Sequence, residues 1–200
     1  LEQKEEAALN SDESPVDPQR MCREVRDWLA TLADPIVIGD GGDIVATAAK
    51  IIPVTSEGSW MDPGPLGTLG VGMPFALAAQ LSFPKRRVVI VYGDGSFGLN
   101  GFEYDTAVRF NLPIIGIIGN DAAWGQMMRP QGAIYGMFES TLLNPTRYDK
   151  VVEALGGYGE LVEKPGDIRG ALERAFASGK PACINVMIRQ DREFSGGIYV

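Results

Sequence analysis

The chain has 200 residues, a formal net charge of −8 and no histidine. That length suits one domain with a full-sized core, and the acidic balance excludes a nucleic-acid groove or an anionic membrane as an expected partner. Without histidine there is no Ser-His-Asp or Cys-His machinery and no His-bearing zinc motif. The two cysteines, Cys22 and Cys183, cannot complete a thiolate site, so a metal here is expected to be a hard, oxygen-bound cation such as magnesium.

Residues 1–18 are acidic and polar, with Pro15 and Pro18 closing the stretch, and read as a solvated linker, not as a signal peptide. "QRMCREVRDWLATL" places Met21, Val25, Trp28, Leu29 and Leu32 at helical spacing. "PIVIGDGG" is a short strand running into a glycine turn, "DIVATAAKII" a helix and "PVTSE" a second short strand. "GTLGVGMPFALAAQL" reads as a nearly apolar helix, "RRVVIVY" as a buried strand, "GFEYDTAVRF" as a helix and "LPIIGIIG" as another buried strand. An irregular stretch with glycines and prolines follows, then a helix near 147–155, the strand "YGELVE", the helix "GDIRGALERAFA" and the closing strand "PACINVMI". No apolar run reaches the ~18 residues of a membrane span. The cysteines fall in apolar segments, as in a reduced, cytoplasmic protein.

Strands alternating with helices, and central strands apolar on both faces, predict an α/β fold: a doubly wound parallel sheet of about six strands covered by helices on both faces. Ligands bind such sheets at the carboxyl ends of the strands. The turns at 39–43, 93–98 and 119–125 all leave from such ends.

"VVIVYGDGSFG" carries the chemistry. Gly93, Gly95 and Gly98 spell G-x-G-x-x-G, which by itself suits a dinucleotide, with Asp121 on a ribose. Asp94, however, stands where a pyrophosphate would pass. A carboxylate repels a diphosphate unless a divalent cation lies between them. Magnesium takes a few protein oxygens together with phosphate oxygens. "GNDAAW" at the end of the next buried strand puts Asn120 and Asp121 in position to supply the second ligand.

"GDGSFGLNGFEYDTAVRFNLPIIGIIGND" resembles the thiamine diphosphate signature, which opens at GDG and closes on a pair of asparagines. Glu103, Thr106, Ala107, Arg109, Leu112 and Pro113 stand where that family usually has them. Upstream, "GPLGTLGVGMPFALAAQ" is similar to the acetolactate-synthase-like "GxGTMGxGxPAAxGA". "GDGGDIV" resembles the family's first diphosphate-side loop. The resemblance covers roughly residues 18 to 190. It implies thiamine diphosphate and Mg2+ as cofactors. Asp94, Asp121 and the carbonyl of Ala123 are the implied metal ligands. Gly67 is implied as the acceptor for the aminopyrimidine and Leu69 as the wedge that bends the cofactor. Gly41, Gly42, Gly93, Gly95, Ser96, Trp124 and Gly125 complete the expected cofactor contacts. Two departures stand out. Asp121 replaces the usual asparagine and adds negative charge, and Leu69 replaces the commoner methionine, a mild change.

The family's activating glutamate comes from a separate pyrimidine-binding domain, and nothing in this chain resembles that domain. The expected division is a linker at 1–18, the diphosphate-binding domain at 19–190 and a tail at 191–200. The chain is then a separate subunit or a piece of a longer enzyme, inactive alone, with no catalytic residue of its own. Its partner is a pyrimidine-binding domain of the same or a second subunit, in a homodimer or homotetramer. "NDAAWGQ" and the tail "REFSGGIYV" lean towards the 2-hydroxyacyl-CoA lyases, which make formyl-CoA and an aldehyde or ketone. Acetolactate synthase or a related 2-keto acid decarboxylase is the runner-up, and a non-catalytic cofactor-binding module is the third reading. The substrate is accordingly an acyl-CoA or a 2-keto acid.

Overall fold

The computed structural model describes residues 2–191. Six strands form one sheet in the order β2-β1-β3-β4-β6-β5. They are β1 (Ile36–Asp40), β2 (Trp60–Met61), β3 (Val88–Gly93), β4 (Ile115–Asn120), β5 (Tyr158–Val162) and β6 (Ala182–Met187). Every pairing is parallel. Nine helices accompany them among the described residues: α1 (Glu2–Leu9), α2 (Pro18–Leu29), α3 (Asp43–Ile51), α4 (Gly72–Ser82), α5 (Asp94–Asn100), α6 (Tyr104–Arg109), α7 (Gly125–Tyr135), α8 (Tyr148–Ala154) and α9 (Ile168–Ser178).

The doubly wound layout follows from the strand composition. Alternate residues of a strand point to opposite faces, so strands that are apolar throughout need cover on both sides. Val89 and Val91 of β3 join Met21, Val25 and Trp28 of α2, Ile44 of α3 and Leu172 of α9 in one core layer. Val88, Ile90 and Tyr92 join Met73 and Ala76 of α4, Tyr104 of α6 and Val152 of α8 in the other. The chain leaves β1 outward to β2 and returns to β3 on β1's other side. The carboxyl ends of β1 and β3 are therefore the switch point where a crevice opens.

Several expectations need correction. "PVTSE" is not a strand: Pro53 has no amide to donate, and the Thr55 and Ser56 amides both donate to Ser59 Oγ at 3.2 Å, which closes a turn instead. The short strand is Trp60–Met61. The helix expected from Gly67 starts at Gly72, because Gly67 and Gly70 hold φ of 62° and 82°, left-handed values that end a helix. The turn expected at 93–98 is the first turn of α5, so helix begins at Asp94, well ahead of "GFEYDTAVRF". The irregular stretch after β4 contains a helix, α7, which carries Pro130 inside it.

The stretch expected as a solvated linker also has structure. It contains α1, and Val16 is fully buried and bridged to Ile188. Asp17 caps α2 by accepting from the Gln19 amide at 2.8 Å, with Pro18 at the first helical position. Of the expected tail, residues 192–200, including "REFSGGIYV", lie outside the described residues. No helix among the described residues is long and apolar enough to cross a membrane. Cys22 and Cys183 are free and buried.

Candidate diphosphate and metal site

β3 delivers Asp94 to the first turn of α5, where the strand's apolar run stops at Gly93. The carboxylate is buried, 2% exposed. Its Oδ1 accepts from the Gly95 amide at 2.8 Å, whereas Oδ2 has no hydrogen-bond partner among the described residues. Burial pushes the Asp94 pKa up to about 6, against the pull of the Gly95 amide. A buried charged oxygen left without a partner costs free energy, and a cation seated there removes that cost.

β4 runs beside β3, Tyr92 opposite Ile118 and Gly93 opposite Gly119. Its end therefore arrives next to Asp94. Asp121 follows, with its pKa raised to about 7, first by burial and then by the Asp94 charge. Ala122 adopts a left-handed φ of 55°, an uncommon conformation outside glycine that often marks a working turn. Three contacts fix it. Its amide donates to Asn120 Oδ1 at 3.2 Å, its carbonyl accepts from Leu143 at 2.7 Å, and the Trp124 amide donates to Thr141 O at 2.8 Å. With the Ala122 carbonyl engaged by Leu143, the Ala123 carbonyl is the next oxygen along the turn. The predicted ligands Asp94, Asp121 and Ala123 thus meet at the ends of two adjacent strands. Among the described residues no three histidine, cysteine or acidic side chains are placed to hold a metal ion between them. A cation here relies on two carboxylates, a backbone carbonyl and oxygens of its ligand, a donor set that suits magnesium.

The β1 end completes the cradle. Gly41 has a φ of 150°, and a Cβ there would stand 2.9 Å from the Gly93 nitrogen. The two turns therefore approach more closely than any side chain permits. Gly42 caps α3, and its Cα faces Gln126 of α7. Ser96 is buried in the first turn of α5. Trp124 packs its ring against Gly95, where a Cβ would come within 2.6 Å of it, so the tryptophan walls the site by leaning on the α5 N-terminus. Gly125 starts α7 and is buried. Gly67 and Leu69 lie on the segment before α4, with Gly67 exposed and Leu69 half-buried. Glu103 is exposed and accepts from Thr106 Oγ1 at 2.8 Å, which makes it a helix-surface residue.

Three functional positions, Asp40, Asp43 and Arg129, escape a sequence reading, and a fourth, Asn120, takes a supporting role in place of a ligand's. Asp40, at the end of β1, is 1% exposed and accepts from the Gly70 and Gly72 amides at 2.9 and 2.7 Å. Burial raises its pKa despite those bonds and one from Ser96. Asp40 thereby ties the Gly70–Gly72 turn, which follows Leu69, to Ser96. Asn120 donates to Asn185 Oδ1 and Thr146 O, both at 3.1 Å, and anchors the metal-side turn from below. Asp43 and Arg129 form a two-pronged ion pair, Nη1 to Oδ2 at 2.7 Å and Nη2 to Oδ1 at 2.5 Å, joining α3 to α7. The glycine turn before Asp43 and the position of Asp40 at a strand end are the available signals. Nothing local marks Arg129.

Fold and site together define a class: an α/β domain that binds a diphosphate through a divalent cation at a switch point. The family described as "Thiamine pyrophosphate enzyme, C-terminal TPP binding domain" matches residues 40–186, and the chain belongs to that family, whose bound cofactor is thiamine diphosphate with Mg2+. The chain is 47% identical over 184 residues to the "Probable acetolactate synthase" of Mycobacterium bovis, covering 92% of this chain and 33% of that protein. It is 43% identical over 173 residues to "2-hydroxyacyl-CoA lyase 2" of Caenorhabditis elegans, 84% of this chain and 27% of that one. With "2-hydroxyacyl-CoA lyase 2" of Homo sapiens it shares 36% over 176 residues, 85% and 28%. The chain spans about a third or less of the length of the curated relatives it matches.

Proposed function

We propose that this chain is the diphosphate- and magnesium-binding part of a thiamine diphosphate-dependent C–C lyase or carboligase, acting on a 2-hydroxyacyl-CoA to give formyl-CoA and an aldehyde or ketone. The observation that carries the cofactor assignment is the partnerless Oδ2 of buried Asp94, facing the Asp121–Ala123 turn. Asp94, Asp121 and the Ala123 carbonyl would hold Mg2+. The amides at the start of α5 and the close-set Gly41 and Gly93 turns would receive the diphosphate. Gly67 and Leu69, positioned through Asp40, would meet the pyrimidine half. Trp124 would exclude water from that side. Thiamine diphosphate supplies a thiazolium carbon that serves as nucleophile and electron sink for the bond between C1 and C2.

This chain's residues bind and orient the cofactor. The glutamate that promotes proton removal is assigned to a pyrimidine-binding domain of the same or a partner subunit, in a homodimer or homotetramer. Leu66, Leu99, Phe102 and Met127, all more than half exposed on elements that frame the cleft, support such a docked domain. A linker, a diphosphate-binding domain and a tail belong to the same proposal, with Val16 and Asp17 counted in the domain they pack into. So does a cytoplasmic location, supported by two free buried cysteines. Acetolactate synthase is the second reading, favoured by the 47% identity to a relative of that name.

The cofactor is tested by binding. The complete enzyme should take up thiamine diphosphate with Mg2+ and lose it in excess chelator, and metal-independent uptake overturns the assignment. Product analysis separates the two reactions: cleavage of a 2-hydroxyacyl-CoA supports the lyase, and acetolactate from pyruvate the synthase.

A further inference from the structure

We infer that Arg129 is a built-in counter-charge for the acidic metal turn, holding the α3 and α7 ends of the cleft together before a divalent cation arrives. The inference rests on the diphosphate and metal reading of the site. The geometry around Gly125 carries it. A Cβ at Gly125 would lie 2.6 Å from Asp43 Oδ2, 3.1 Å from Asp121 Oδ2 and 3.5 Å from Arg129 Nη1. Two carboxylates and one guanidinium therefore crowd around a single backbone atom, and only a residue without a side chain fits there. Arg129 grips Asp43 with both prongs of its fork, and its charge is favoured first by that bond and then by Asp43, Asp191 and Asp121. Its side chain is 20% exposed, so water screens the cluster only in part.

Charge arithmetic gives the arrangement its logic. Asp94, Asp121 and Asp43 bring three carboxyl groups to the mouth of a site that must accept an anionic diphosphate, and a bound cation favours their charged forms. Magnesium offsets two of them when it binds. Arg129 offsets the third, Asp43 at the start of α3, which it holds by two hydrogen bonds. An asparagine at position 121 would leave the cluster one charge lighter and Arg129 less needed. The extra carboxylate at Asp121 and the arginine eight residues on thus both border Gly125 at the α7 N-terminus, with Arg129 bonded to Asp43. A lysine at 129 would keep the charge and lose the fork.

The test is a double-mutant cycle on the assembled enzyme, crossing Arg129→Met with Asp121→Asn. Mn2+, a cation of the same charge that suits the same oxygen ligands, is titrated by electron paramagnetic resonance without cofactor, and thermal midpoints are recorded in chelator. With Asp121 present, Arg129→Met should tighten Mn2+ binding by about three- to tenfold, because one repelling cation is gone. It should also lower the metal-free midpoint, with added Mn2+ recovering most of the loss. In the Asp121→Asn background the midpoint loss should shrink to less than half. Arg129→Lys should behave close to the parent in Mn2+ affinity.

An equal midpoint loss in both backgrounds would show that Arg129 only ties α7 to Asp43, and would overturn the inference. So would weaker Mn2+ binding in Arg129→Met. If the parent enzyme binds no divalent cation even with thiamine diphosphate, the functional reading fails and this inference with it. If the parent binds both and the four cycle members are alike, only the inference fails.

Discussion

Two buried aspartates at the carboxyl side of the sheet have opposite fates. Asp149, fully buried on α8, is held by Arg147 at 2.6 Å and accepts from Asn185 Nδ2 at 3.2 Å. Burial pulls its pKa up, but the bonds from Arg147 and Asn185 outweigh it, and the carboxyl stays below its ordinary range. Asp94, almost as deep, is pushed to about 6, with one oxygen left alone. Asp149 is complete within the chain, and Asp94 is completed only by a ligand. Burial alone does not separate a structural carboxylate from a functional one; the state of its second oxygen does.

Exchanging the two aspartates in turn should break the comparison most sharply. Asp94→Ala should weaken magnesium-dependent thiamine diphosphate binding by a thousandfold or more, about 4 kcal/mol, in calorimetric titration. In chelator the same variant should unfold no earlier than the parent, because an uncompensated buried charge has gone. Earlier unfolding would place Asp94 with Asp149 as a structural group. Asp149→Ala should do the reverse. Loss of its charged hydrogen bonds should cost about 2 to 3 kcal/mol in denaturant unfolding, while any variant that still folds keeps its cofactor affinity within a few-fold.

Gly95→Ala acts between these extremes. The added methyl would meet the Trp124 ring, so overpacking should cost about 1 to 2 kcal/mol and move Trp124 away from the cleft. The change is read as a shift in tryptophan fluorescence together with weaker cofactor binding. An unchanged spectrum would mean that the ring is not fixed by Gly95.

The smallest expected effect is the pH dependence carried by Asp149. Its folded pKa is depressed, so its stabilisation is present above the unfolded value of about 3.9 and is lost as pH falls through the lower folded value. Parent and Asp149→Asn should therefore differ at neutral pH and converge in strong acid. A gap that stays constant into that acid range would assign the stabilisation to packing.

The sequence made the centre of the sheet legible because β3 and β4 are runs rich in β-branched residues that meet a glycine at their carboxyl ends, and such runs have few alternatives to a buried parallel strand. Asp94 was legible because a carboxylate inside a glycine motif contradicts the motif's usual ligand. Helix α7 was hidden. Gly125, Pro130, Gly132 and Gly136 all argue against a helix, and tertiary contacts override them, among them Phe138 packed at Gly132 and Arg129 gripping Asp43. Asp40 was hidden for another reason. Its partners, the Gly70 and Gly72 amides, lie thirty residues on, and no local pattern signals so distant a bond. Val16 was misread because a lone valine between prolines gives no periodicity, yet it docks beside Ile188.

That docking has a mechanical side. The Val16 amide donates to Met187 O and the Arg189 amide to Val16 O, both within 2.9 Å, and Arg189 also pairs with Asp17. The bridge is parallel, so tension applied upstream of Val16 and downstream of Arg189 pulls the two segments in opposite directions along their length. All of these bonds then bear load together, in shear, and none can be peeled off one at a time. A tug transmitted through the flanking chain meets this clamp before it reaches the metal turn on β4.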